Sequence, residues 1–155
     1  MTPGSGGPRP AEDHAVLFVC TGNAGRSQMA QALLRQRVGD AVRAESAGVA
    51  PWPCLHPVAV RLLNARGVDL TGHCPKPVAA IDPTQFDHVV TLGGPAHDRL
   101  PRAAFGAAYW EHWDVADPAD ADGTPGSEAA FGCALADIEE RLAGLEPRRM
   151  APAIA

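Results

Sequence analysis

The chain has 155 residues, of which 46% are apolar and 20% charged, with a net charge of −5. That length suits one domain with a sizeable core and argues against two independent ones. There is no run of Lys or Arg to form a nucleic-acid footprint, and no apolar stretch approaches the roughly 20 residues needed to cross a bilayer.

Residues 1–13 are rich in Gly and Pro and are expected to form a flexible leader, without the charged-then-apolar pattern of a secretory signal. A single catalytic domain is expected over 14–146. Ala15–Val19 is a continuous apolar run of the kind found in a central strand, and it leads into Cys20. The loop Thr21-Gly22-Asn23-Ala24-Gly25 follows, then Arg26 and Ser27 at the head of a helix running from Gln28 to Val38. Met29, Ala32, Leu33 and, less neatly, Val38 share one side of it. Val42–Ser46 reads as a weaker strand closed by Ala47-Gly48, and Val49–Leu55 as a loop carrying Trp52 and Cys54. Pro57 opens a second helix, Val58–Arg66, which Gly67 ends. Val78–Ile81 is a short apolar piece, Phe86–Leu92 a third strand and Ala96–Leu100 a short helix before Pro101. Ala107–Trp113 predicts a fourth strand, followed by an acidic loop, Asp114–Gly126. The last helix is expected over Ser127–Leu145, with Ala130, Ala134, Ile138 and Leu142 at near-helical spacing and Cys133 placed on the apolar side. Residues 147–155 are expected to be a frayed tail.

Strands alternating with helices predict a small, doubly wound, four-stranded parallel sheet with helices on both faces and right-handed crossovers. Ligands of such sheets sit beyond the carboxyl ends of the strands. Cys20, the loop at Trp52, the segment after Leu92 and the acidic loop therefore belong on one rim.

The chemistry follows from the residue types. Glycines in a tight turn let backbone N–H groups point inward as a nest for a tetrahedral oxyanion. The helix that follows adds its unpaired N–H groups and positive dipole end. Thr21, Gly22, Asn23, Ala24, Gly25 and Arg26 are thus the candidate oxyanion-binding residues, with Arg26 supplying a planar fork of donors. Cys20 is the candidate nucleophile, expected to be a thiolate among cationic and dipolar neighbours, and Ser27 can donate to its sulfur. A carboxylic acid nearby would protonate the leaving oxygen. Asp117, stiffened by Pro118, is the candidate, whereas Asp120 and Asp122 read as solubilising charges. Asn23 tolerates a left-handed conformation and is read as shaping the loop. The cysteines (Cys20, Cys54, Cys74, Cys133) are scattered and read as reduced thiols of a cytoplasmic protein. Cys54, in the loop beside Trp52, reads as a spectator thiol, with resolution of an adduct on Cys20 as the alternative. Neither Cys54 with His56 nor Cys74 with His73 matches a zinc set. His112 is expected to anchor structure, and Trp52 and Trp110 to pack in the core, with a place in the pocket wall as the alternative for either.

The run Cys20-Thr-Gly-Asn-Ala-Gly-Arg-Ser-Gln-Met-Ala30 resembles the anion loop of the low-molecular-weight tyrosine phosphatase superfamily, specifically its arsenate reductase branch. The resemblance extends from Val16 to Leu145 through Glu45-Ser-Ala-Gly48, Gly67-Val-Asp-Leu70, Phe86–Leu92, His112-Trp113 and Asp117-Pro118-Ala119. Phosphatases of this fold usually carry proline after the Arg-Ser pair, an aromatic after Asp-Pro and a tyrosine pair nearby. This chain has Gln28, Ala119 and the single tyrosine Tyr109 instead. The resemblance implies Cys20 as nucleophile, Arg26 as clamp, Ser27 as thiolate support and Asp117 as general acid.

Thioredoxin-coupled members place further cysteines where this chain has Gly93 and Leu100. The internal disulfide relay is therefore absent, and the pattern is similar to arsenate–mycothiol transferases. That likeness implies a small thiol cosubstrate (mycothiol, bacillithiol or similar), a glutaredoxin- or mycoredoxin-type partner and no tightly bound cofactor. Some reductases hold potassium; Gln31 and Lys76 stand in place of two of its carboxylate ligands, so no metal is expected. The alternatives are a phosphatase acting on phosphotyrosine or small phosphoesters, and a non-catalytic oxyanion-binding module.

Overall fold

Strand β1 (Ala15–Cys20) is buried along its whole length, which is why its sequence shows no polar alternation. The computed structural model describes residues 14–149; the expected leader, 1–13, and residues 150–155 of the expected tail lie outside the described residues. β1 is flanked by β2 (Arg43–Gly48) and β3 (His88–Leu92), and β4 (Tyr109–Trp113) closes the far edge, giving a parallel sheet of order β2-β1-β3-β4. The chain winds one way from β1 to β2 and the other way through β3 and β4. The carboxyl ends of β1 and β3 therefore form the switch point where such sheets bind ligands.

Four helices cover the sheet: α1 (Arg26–Val38), α2 (Pro57–Asn64), α3 (Gly94–Arg99) and α4 (Ser127–Arg149). Period-two alternation divides β1 between two unequal cores. Val16, Phe18 and Cys20 meet Met29 and Leu33 of α1, Leu63 of α2, and Phe131, Leu135 and Ile138 of α4. Ala15, Leu17 and Val19 meet a thinner layer of Phe86, Ala96, Leu100 and Phe105. The expected doubly wound fold is present, with most of its helical mass on one side.

Several expected elements change in extent or kind. α1 is buried all round from Arg26 to Leu34, so a one-sided apolar stripe describes it poorly. Two of its polar residues are tied to neighbours: Gln28 donates to Asn23 Oδ1 (3.2 Å), though its own Oε1 is buried with no partner, and the Ser46 hydroxyl donates to Gln31 Oε1 (2.5 Å). The short apolar piece at Val78 forms a 3₁₀ turn, Val78–Ala80, and the acidic loop contains another, Pro118–Ala121. β3 and β4 begin two residues later than expected. α4 runs through Arg149, into the segment expected to fray.

Cys133 is exposed, against the expectation of core. The buried stripe of α4 is Phe131, Ala134, Leu135, Ile138, Leu142 and Leu145, and a residue two places after Phe131 points to the opposite side of a helix with 3.6 residues per turn. Among the described residues, no helix is long and apolar enough to cross a membrane.

This helix face generates a stability test. Leu135→Ala removes a side chain only 2% exposed and is expected to cost about 2–5 kcal/mol. Cys133→Ser is expected to fall within about 0.5 kcal/mol of the parent, both read from urea unfolding midpoints. A large loss for the serine variant would contradict the face assignment.

Candidate active site

The anion loop owes its shape to where its carbonyls go. Cys20, Thr21, Gly22 and Ala24 accept from the backbone N–H groups of Val49 (3.1 Å), Ala50 (2.8 Å), Trp52 (2.9 Å) and His56 (2.9 Å). A trans peptide sets its N–H opposite its C=O. The amides of Thr21, Gly22, Asn23 and Gly25 therefore face the inner side of the loop, and that of Asn23 lies 3.3 Å from Cys20 Sγ. Gly22 has no room for a side chain, since a Cβ would stand 2.7 Å from the Trp52 indole.

Behind the loop a directed chain of hydrogen bonds reaches the sulfur. The Lys76 backbone N–H donates to Asn23 Oδ1 (2.9 Å), which fixes the orientation of that amide. Asn23 Nδ2 then donates to Ser27 Oγ (2.7 Å). Ser27, 3.0 Å from Cys20 Sγ, is left to direct its own hydrogen at the sulfur. Asn23 sits at φ 52°, the only described non-glycine residue with positive φ, and is fully buried. The Asn23 N–H and the Ser27 hydroxyl thus meet at the sulfur. Further from the sulfur, the His73 imidazole is held below its ordinary pKa, first by burial and then by Arg35 and Lys76.

Arg26 is 5% exposed and gripped on several sides. Its Nη1 donates to Val115 C=O (2.8 Å), and its Nη2 lies 3.3 Å from Asp117 Oδ2. The remaining wall is Gly93, at φ 93°, where a Cβ would come within 2.4 Å of Arg26 Nη1. Asp117 starts the 3₁₀ turn Pro118–Ala121 and accepts from the Ala119 N–H (3.0 Å).

These groups meet in one cleft. Its floor is Cys20, Thr21, Gly22, Ala24, Gly25 and Arg26, and its walls are Trp52, His56, Phe131 and Asp117-Pro118-Ala119. Asn23 and Ser27 stand behind this floor. Cys54, Cys74 and Cys133 are exposed and do not line the cleft. Among the described residues, no group of three or more His, Cys, Asp or Glu is placed to hold a metal ion.

Two residues differ from expectation. Trp52 is 39% exposed and forms a wall of the cleft instead of packing in the core, because the loop beneath it contains only small residues. Trp110 is half-buried at the far side of the sheet, against Phe105 and beneath Arg102. Asp122, expected to be a solubilising charge, accepts from His56 Nε2 at 2.9 Å. His56, which the sequence offers only beside Cys54 as a pair that matches no zinc set, stands in the cleft wall; its place just before Pro57, at a helix start, is the local signal for it. His112 anchors Thr91 (2.8 Å) and packs beside His97.

A parallel sheet with a thiol, an amide nest, an arginine and a carboxylate at its switch point defines the class of protein. The model of the low molecular weight phosphotyrosine protein phosphatase family matches residues 15–151, and the chain belongs to that family. Named relatives narrow the comparison to arsenate reductases. The arsenate reductase of Bacillus subtilis (strain 168) is 36% identical over 120 residues, 77% of this chain and 85% of that protein. The glutaredoxin arsenate reductase of Synechocystis is 28% identical over 130 residues, 84% of this chain and 94% of that protein. The solved structure of a Corynebacterium glutamicum thioredoxin-dependent arsenate reductase superposes with a TM-score of 0.68 at 29% identity. It covers 93% of this chain, while this chain spans 65% of it.

The packing of Arg26 is directly testable. Gly93→Ala is expected to push the guanidinium off its seat and weaken phosphate protection of Cys20 against iodoacetamide by about tenfold, the loss of one charge-assisted contact. Unchanged protection would show that Arg26 accommodates the methyl group.

Proposed function

We propose that this enzyme is an arsenate reductase whose cysteine adduct is resolved by a low-molecular-weight thiol. Arsenate enters with its oxygens against the amides of Thr21–Arg26 and the guanidinium of Arg26, where preorganised donors stabilise charge developing on oxygen. Cys20 Sγ attacks arsenic and forms an S–As bond while one oxygen departs as water, taking a proton from Asp117. Ser27 supports the thiolate before attack. A free small thiol of the mycothiol or bacillithiol kind then displaces Cys20 from arsenic, giving a thiol–arsenic(V) conjugate. A thiol of a glutaredoxin-type partner attacks the sulfur of that conjugate. The electron pair of the S–As bond passes to arsenic, which leaves as arsenite, and the two thiols end as a mixed disulfide.

The observation that carries the external-thiol step is Gly93. At the position where a relay cysteine would stand, the backbone is at φ 93° and the space is filled by Arg26. No other thiol lines the cleft. The named relatives support arsenate as substrate, and the names of two of them attach the reaction to glutaredoxin or thioredoxin. Soluble surroundings with reduced thiols, such as the cytoplasm, suit this chemistry. A second reading, hydrolysis of aryl phosphates, is favoured by the Trp52 and Phe131 walls, which fit a flat ring.

Arsenite release is expected with a small thiol plus a glutaredoxin-type protein, and not with thioredoxin as sole reductant. Arsenite formed with thioredoxin alone would overturn the external-thiol step. Strong aryl phosphate hydrolysis, with no arsenite under any thiol supply, would favour the second reading. Cys20→Ser is expected to abolish turnover, and Asp117→Asn to slow it by about 10²–10⁴-fold. An unchanged rate for the asparagine variant would move the proton donor elsewhere.

A further inference from the structure

The mechanism above leaves a buried imidazole in the wall of the cleft unused. His56 is 6% exposed, and both ring nitrogens are engaged. The Val58 N–H donates to Nδ1 (3.2 Å), so the ring proton sits on Nε2 and points at the Asp122 carboxylate, 2.9 and 3.0 Å from its two oxygens. A ring so occupied has no lone pair to offer a substrate, which excludes it as a general base.

Its partners belong to distinct parts of the site. The His56 backbone N–H donates to Ala24 C=O in the anion loop (2.9 Å). Its ring packs on Phe131 of α4, centroids 4.2 Å apart. Asp122 ends the 3₁₀ turn that Asp117 begins, and both are tied to Ala119: the Asp122 N–H donates to Ala119 C=O (3.0 Å), and the Ala119 N–H donates to Asp117 Oδ1 (3.0 Å). Asp117 Oδ2 returns to Arg26 of the anion loop at 3.3 Å. The contacts close a circuit from Ala24 through His56, Asp122, Ala119 and Asp117 to Arg26.

We propose that His56 and Asp122 are a positioning pair that clamps the turn carrying Asp117 to the anion loop, which fixes where the proton donor stands relative to Cys20. The proposal rests on Asp117 being that donor. Without the pair, the polar ties from this segment to the anion loop run through Arg26, to Val115 C=O (2.8 Å) and to Asp117 Oδ2 (3.3 Å), and Asp117 is 38% exposed. An ångström of misplacement at a reacting group is enough to cost up to about 10²-fold.

The test uses the full chain with arsenate and a small dithiol, dithiothreitol, as reductant. Asp122→Ala changes a residue 40% exposed and leaves the core intact. His56→Asn keeps a good N-cap acceptor for Val58 but is too short to reach Asp122. Each variant is expected to lower kcat/KM for arsenate by about tenfold while leaving the phosphate inhibition constant within about twofold. The double variant is expected to match either single one, and neither is expected to lower the Asp117→Asn enzyme further. Amide exchange at Ala119 and Asp122 is expected to speed up in both.

Additive losses in the Asp117→Asn background, or a phosphate constant that weakens in step with turnover, would overturn the pairing in favour of general damage to the anion loop. Unchanged exchange in the turn would overturn it independently of any turnover. An unimpaired Asp117→Asn enzyme would refute the donor assignment, and with it the role given to the pair. A slowed Asp117→Asn enzyme beside unimpaired pair variants would refute the pair alone.

Discussion

The hydrogen bond between Ser27 and Cys20 is given a direction by groups that lie behind the anion loop. Because a backbone amide from Lys76 holds the Asn23 carbonyl oxygen, the Asn23 amino group must face Ser27, and the serine hydrogen is left for the sulfur. A buried polar chain of this sort is costly if any link is unmet and specific when all are met. The left-handed backbone at Asn23 belongs to the same device, since it is what places the side chain behind the loop.

The second constraint is competition for space around Arg26. Its guanidinium fills the volume beside Gly93, reaches the Val115 carbonyl and touches Asp117, so clamp, strand end and acid loop are one packed unit. That unit explains why the end of β3 carries glycine here. In this chain a side chain at that position would enter the space that the Arg26 guanidinium occupies. In the proposed reaction the resolving thiol enters from outside, past Trp52, Phe131 and the turn Asp117-Pro118-Ala119 that line the cleft.

Much of this was legible before any coordinates. The apolar run into Cys20, the Gly-Asn-Ala-Gly turn and the Arg26-Ser27 pair are local, contiguous signals, and local geometry follows from them. The strand and helix order was legible for the same reason, through period and punctuation. Cys133 was misplaced because its neighbours on α4 are mostly small or apolar, which blurs the stripe that Phe131, Leu135 and Ile138 define. Val78–Ala80 was ambiguous because a short apolar run has no period of its own.

By itself the sequence determined the glycine-containing loop after Cys20, the parallel α/β order and the residue types that line the cleft floor, since each is written within a few consecutive positions. The tertiary structure alone decided that Gly93 shares its space with Arg26, that Trp52 walls a cleft while Trp110 packs elsewhere, and that Asp122 meets His56 across 66 positions of chain. Those contacts depend on how strand ends from distant segments come to lie side by side, and no local periodicity encodes such distances.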